Sequence, residues 1–296
     1  MNNEKDFIEQ TNFSVNNQQL TKVYLTGNIV EAITMQKRCY GISRYRKINK
    51  KGFVDMNTGE FIPVKEQQVS YESIRKKIIK SSNQLRRIIN QNFTGNYTEK
   101  FITLTYSCHM DDYQQVNIDY KKFWSRFKYA YPNCEYVKVI EPQSNGSFHI
   151  HVLVKRTNGE KLFVPYEHLK EIWGLGGVWI KNLPFADNFG AYFCAKFKDN
   201  KHSDQIDENY MGNAYEKGKR IIFYPTNFRF YSCSKGIQKP VPIIIQYSEL
   251  KELVGERLPI YSYIKTIQGK DDEGNPIDVN AIKYEQYILK SEDGIE

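Results

Sequence analysis

The chain has 296 residues, enough for one large domain or two smaller ones, each with its own core. Its 42 Lys and Arg against 34 Asp and Glu leave a net charge of +8, which suits a polyanionic partner as well as it suits plain solubility. Five scattered cysteines without a Cys-x-x-Cys pair argue against a disulfide framework or a zinc ribbon, and no run approaches the roughly 18 apolar residues of a membrane span.

Residues 1–20 are rich in Asn and Gln and read as a mobile tail without a signal peptide's apolar stretch. A reducing cytoplasm is the expected setting. From Lys22 to about Val64 the pattern is one of short strands, with Asn57-Thr58-Gly59 as a hairpin turn. Residues 70–91 predict a helix, because Ile74, Ile78, Leu85, Ile88 and Ile89 recur at three- and four-residue spacing. Its other face carries Arg75, Lys76, Lys77, Lys80, Arg86 and Arg87, with no acid between Glu72 and Glu99. A solvated helix usually mixes signs, so this face leans toward a phosphate backbone.

Phe101 to Tyr106 is a β-branched and aromatic strand. Asp119 is the expected cap of a helix running to about Tyr129, with Tyr120, Phe123, Trp124 and Phe127 on its apolar face. Glu135 to Glu141 predicts a strand, Ser144-Asn145-Gly146 a turn, and Phe148 to Lys155 the returning strand. A short helix follows from Pro165 to Trp173, broken by Gly174, Gly176 and Gly177, and then a strand at Val178-Trp179-Ile180. Trp173 and Trp179 flank that glycine turn and are read as packing residues. Asp187 or Asn188 caps a helix to about Lys198; Ile221 to Tyr224 and Val241 to Ile245 are further strands. A turn at Asp271 to Asn275 joins two Tyr/Ile-rich segments. Interspersed elements without long crossovers predict an α+β fold with a central, mostly antiparallel sheet flanked by helices.

His149 and His151 lie two apart in an apolar strand and so share a face, while Phe148, Ile150, Val152 and Val154 take the other. In a hairpin that pairs residue 141 with 149, the Glu141 carboxylate joins both imidazoles. A bulge in the turn would break that register. The set would be two histidines and one carboxylate with open positions, suited to a divalent ion that also meets substrate. A solvent-exposed face explains a lone His-x-His equally simply. A cupin site would want a Glu three or four residues on, where Val154 and Lys155 stand.

Three ordered blocks resemble the HUH endonucleases, the Rep proteins that start rolling-circle replication. Phe101-Ile102-Thr103-Leu104-Thr105-Tyr106 resembles their first motif. Phe148 to Val154 resembles the His-hydrophobe-His motif, with Glu141 where many have a third ligand. Gly190-Ala191-Tyr192-Phe193-Cys194-Ala195-Lys196 stands in the place of their nucleophile helix. Ser234 to Pro240 and the basic helix are similar to Reps of small plasmids and phages of low-GC bacteria. The resemblance spans roughly residues 70–240.

The resemblance implies a ferredoxin- or RRM-like arrangement, a domain over 21–245 and a C-terminal extension over 246–296. It implies Mg²⁺ or Mn²⁺ at Glu141, His149 and His151, Tyr192 as nucleophile, and single-stranded or hairpin origin DNA as partner. Lys196 would be its helper, although it stands four residues on where many Reps have three. A relaxase or transposase would share these motifs, and a replication regulator would bind DNA without cutting it. Thr103 and Thr105 share a strand face and either support the site or touch DNA, or stand there for β-propensity alone. No Gly-x-x-x-x-Gly-Lys-Ser/Thr occurs, so unwinding would fall to a host helicase, with a host polymerase extending the product. A homo-oligomer is compatible with a single tyrosine per chain.

Overall fold

The structure, a computed structural model, describes residues 13–37, 45–49, 52–56, 58–63, 71–183, 188, 190–191, 220–225, 227–270 and 273–289. The chain divides into two compact units. One takes in Met1–Val23, Glu31–Ser70 and Ile243–Tyr287; the other Tyr24–Val30, Tyr71–Pro242 and Ile288–Glu296. The fold is α+β, with antiparallel sheets and four helices among the described residues.

The first part of the chain is built of strands β1 (Leu20–Thr26), β2 (Ile29–Met35), β3 (Tyr45–Asn49), β4 (Gly52–Asp55) and β5 (Phe61–Pro63). Strands β3, β4 and β5 form a small antiparallel sheet. The turn before β5 contains Gly59 at φ 74°, in the left-handed region that a side chain resists; Asn57 lies outside the described residues. Strands β1 and β2 belong to a five-stranded sheet completed from the far end of the chain. Its other members are β11 (Ile243–Gln246), β12 (Tyr261–Lys270) and β13 (Pro276–Ile288), in the order β11-β1-β2-β13-β12. Residues 1–12 of the expected tail lie outside the described residues, whereas Phe13 is buried and the Gln19 carbonyl accepts from Tyr247 N. Helix α4 (Tyr247–Val254) follows β11 directly and buries Tyr247, Leu250 and Val254.

The second unit holds the predicted motifs. Helix α1 (Tyr71–Asn92) buries Ile78, Leu85, Ile88 and Ile89, as its period predicts. Each such side chain contributes about 1.5–3 kcal/mol relative to exposure. Next come β6 (Glu99–Leu104), α2 (Tyr113–Ala130), β7 (Cys134–Pro142), β8 (Phe148–Arg156), α3 (Tyr166–Trp173) and β9 (Val178–Asn182). This β-α-β-β-α-β run, with strand order β7-β8-β6-β9, is the ferredoxin-like arrangement. A further strand, β10 (Tyr231–Cys233), pairs with β7 at one edge.

Side-chain alternation divides this sheet's two faces. Ile150 and Val152 of β8 share a face with Ile102 and Leu104 of β6 and Ile140 of β7. Helix α2 covers that face, since its Tyr113 meets Phe148 edge to face and its Phe123 meets Trp173 of α3. The opposite face carries His149, His151 and Lys155. The Lys155 Nζ lies 3.3 Å from the Asn92 carbonyl, so the C-terminal end of α1 lies on this side.

Three expectations are corrected. Helix α2 begins six residues before Asp119, with Asp112 as the cap: its carboxylate accepts from Gln114 N and Gln115 N. Asp119 is instead buried within the helix and accepts from Tyr106 Oη and Gln115 Nε2. Residues Arg220–Phe223 form a 3₁₀ helix rather than a strand. Trp173 is buried as expected, donating to the Thr105 carbonyl at 2.7 Å, but Trp179 is 75% exposed. Alternation leaves Trp179 on a face of β9 that α2 and α3 do not cover.

Candidate metal centre

The β7–β8 hairpin determines which side chains meet. Its register sets Glu141 opposite His149 and Val139 opposite His151, so all four share one face. The turn keeps this even pairing. Gly146 adopts φ 85°, Gln143 N donates to the Ser147 carbonyl, and Asn145 Oδ1 accepts from Ser147 N. No bulge intervenes between the turn and His151.

Three donor atoms converge. His149 Nε2 and His151 Nε2 are 2.8 Å apart, Glu141 Oε2 is 3.1 Å from the second and 3.5 Å from the first. Glu141 and His149 are buried and His151 is half-buried. Three lone pairs so close repel unless a proton or a cation lies among them. Ligands about 2.1 Å from an ion stand about 3.0 Å apart at right angles and about 3.4 Å apart at tetrahedral angles. The observed separations bracket that range, so the three residues fit a divalent ion and leave further coordination positions open. Two imidazoles and one carboxylate form a borderline donor set that takes Mn²⁺ more readily than Mg²⁺.

Neighbours orient the ligands. Thr103 pairs across the sheet with His151, and its Oγ1 is 3.1 Å from His151 Nδ1. With Nε2 as ligand, Nδ1 holds the proton and donates to the Thr103 oxygen, which fixes tautomer and ring angle together. Phe101 stacks on the same ring at 5.4 Å and 19°. The His149 Nδ1 is buried and has no hydrogen-bond partner among the described residues. Arg220 Nη1 stands 3.9 Å from Glu141 Oε1. Tyr224 donates to the Ile140 carbonyl at 3.0 Å. Burial first, and the Glu141 charge second, hold its hydroxyl well above the ordinary tyrosine range. It therefore acts here as a donor that anchors β7.

The other predicted site residues are placed as follows. Thr105 Oγ1 donates to the Gly177 carbonyl at 3.0 Å and ties β6 to the turn before β9. Lys76 and Lys80 of α1 are exposed, whereas Arg75, Arg86 and Arg87 are half-buried. Lys77 is drawn into the fold, donating to the Phe228 carbonyl at 2.7 Å and resting 4.2 Å from its ring centre. Asn188 Oδ1 accepts from Ala191 N in the manner of a helix cap. Asn90 of α1 donates to Asn188 Oδ1 and accepts from Gly190 N at 2.7 Å. A Cβ on Gly190 would stand 2.3 Å from the Arg86 carbonyl oxygen, so only glycine permits this approach. Tyr192 and Lys196 lie outside the described residues. His109 is exposed beside Asp111, and His168 Nδ1 meets Tyr131 Oη at 2.7 Å, both away from the centre.

Sequence reasoning missed Arg220 and Tyr224. Both come from a segment some 80 residues beyond Glu141, and no spacing rule links them to the hairpin. The only sequence signal was a tyrosine in an apolar run, which reads as packing.

Residues 99–201, about a third of the chain, match the family of replication-associated proteins of the ORF2 type. Comparisons with curated proteins and with solved structures give no match. The matched stretch contains the whole β6–β9 run and all three converging ligands.

Proposed function

We propose that the chain is an HUH-type endonuclease that nicks and rejoins single-stranded origin DNA to start rolling-circle replication, acting in the cytoplasm of a bacterial host. The observation that carries this reading is the convergence of Glu141 Oε2, His149 Nε2 and His151 Nε2 within 3.5 Å on one hairpin. The similarity of residues 99–201 to a replication-associated family supports it. Residues 21–245 would form the endonuclease domain. The strands of 246–296 complete the sheet that contains β1 and β2.

A divalent ion held by these three side chains would neutralise the scissile phosphate and make its phosphorus more electrophilic. The protein's own residues do the rest. Thr103 and Phe101 keep the His151 ring turned toward the site. Tyr192 attacks phosphorus in line, forming a phosphotyrosine bond to the 5′ side and releasing a 3′-OH that can prime synthesis. Its phenolic proton passes to water. Lys196 would favour the phenolate, whose ordinary pKa is about 10. The phosphotyrosine conserves the energy of the broken bond, so attack by a 3′-OH reseals the strand without ATP.

The test is a covalent adduct. With a hairpin oligonucleotide carrying the origin and with Mn²⁺, the wild type is expected to form a protein–DNA species that survives denaturing electrophoresis. Tyr192→Phe is expected to abolish it. An adduct of wild-type yield in Tyr192→Phe would remove Tyr192 as nucleophile.

A further inference from the structure

Trp179 breaks the ordinary rule for large aromatic side chains. It is 75% exposed, yet it stands on an ordered strand and not on a loop tip. Its place is set by register. Trp179 pairs with Thr103, and Thr103 pairs with His151. The three therefore form one row across the sheet and share a face. Adjacent strands are about 4.8 Å apart, so Trp179 is about 10 Å from His151. That is within about three nucleotides of the centre, even at the stacked rise of about 3.4 Å per step.

The backbone around Trp179 holds it rigidly. Beyond the end of β6, Thr105 N donates to the Gly177 carbonyl and Ser107 N to the Leu175 carbonyl. A Cβ on Gly176 would stand 2.3 Å from the Thr105 carbonyl oxygen, so this turn is pressed against the segment after β6. Two residues along β9 on the same face is Lys181, exposed, with Nζ 5.2 Å from the Phe101 ring centre. The Phe101 ring in turn stacks on His151. A cation thus lies between the exposed indole and the metal ligands. An aromatic platform beside a cation is the arrangement that holds a single strand, the ring taking a base and the cation a phosphate.

We infer that Trp179 is a base-stacking platform for the single strand that flanks the scissile phosphate, with Lys181 contacting the adjacent backbone. This rests on the reading of the Glu141, His149 and His151 cluster as a DNA-cleaving centre. The strand occupies the edge of the sheet, running from β9 across β6 toward β8. Stacking tolerates any base, so the subsite serves placement rather than sequence choice.

The experiment separates this from the nicking reading. Binding of a fluorescein-labelled oligothymidylate of about twelve nucleotides to the full chain is measured by anisotropy in EDTA, where no cleavage occurs. Trp179→Ala is expected to weaken binding about 5- to 100-fold, with Trp179→Phe restoring most of it. The slope of log affinity against log salt should be unchanged in Trp179→Ala and should fall by about 0.7 in Lys181→Ala. Wild-type affinity in a folded Trp179→Ala overturns the inference, whether or not the nicking reaction is present. Loss of a concentration-dependent dimer in Trp179→Ala, with DNA affinity intact, would also overturn it and make the ring a contact between copies. Weakened binding without any covalent adduct would leave the platform standing and sink the nicking reading alone.

Discussion

Thr103→Val removes the hydroxyl 3.1 Å from His151 Nδ1 while keeping a side chain of nearly the same shape on β6. The ring then loses a hydrogen bond that fixes its tautomer, though Phe101 still stacks on it. Affinity for Mn²⁺, measured by calorimetry, is expected to fall about 10-fold or more, with Thr103→Ser close to wild type. Unchanged affinity in Thr103→Val would show that Thr103 serves packing alone. The three converging residues themselves were legible in the sequence, because a strand repeats every two residues and the sum of an antiparallel pairing settles which side chains meet. Arg220, 3.9 Å from Glu141, was not legible: its approach depends on a tertiary path that no local period encodes. Tyr192 and Lys196 rest on motif position only.

Lys138 of β7 shows what an element imposes on a residue. Alternation turns it toward α2, where it is 5% exposed, donates to Asn117 Oδ1 at 2.9 Å and lies 4.1 Å from the Tyr120 ring centre. Burial, with repulsion from Lys121 and Arg229, pushes its pKa down to about 7. Unfolding returns it to about 10.5. Below pH 7 both states hold the proton and the fold bears the full cost. Between about pH 7 and 10.5 only the unfolded state is protonated, so stability rises with pH across that window. Lys138→Met is expected to be more stable than wild type at pH 7, with a gap that narrows toward about pH 9 in chemical denaturation. A gap that stays constant with pH would mean that Lys138 remains charged in its niche. The periods of α1, β7 and β8 were readable from composition alone. The start of α2 was not, because Asp112 and Asp119 both precede apolar residues and only tertiary contact with Tyr106 makes the second an interior acid. Residues 220–223 misled for a related reason: Ile-Ile-Phe has strand composition, but the segment lacks a ladder partner and closes into a 3₁₀ turn.

Across the whole molecule, the C-terminal strands β12 and β13 belong to the same sheet as β1 and β2, so the two ends of the chain build one element. No sequence period reveals a pairing over some 250 residues. The β6–β9 run could be read in advance because all its pairings are local hairpins or short crossovers. The net charge of +8 and the family match over that run both accord with a nucleic-acid partner. The central claim is that one ion, held by Glu141, His149 and His151, enables tyrosine-linked nicking. Its most direct test is the yield of covalent protein–DNA adduct as Mn²⁺ is titrated into wild type and His151→Ala. The account predicts saturable, chelator-reversible adduct formation in wild type and at least about a 100-fold loss in His151→Ala. Metal-independent adduct in the wild type, or full yield in His151→Ala, would contradict it.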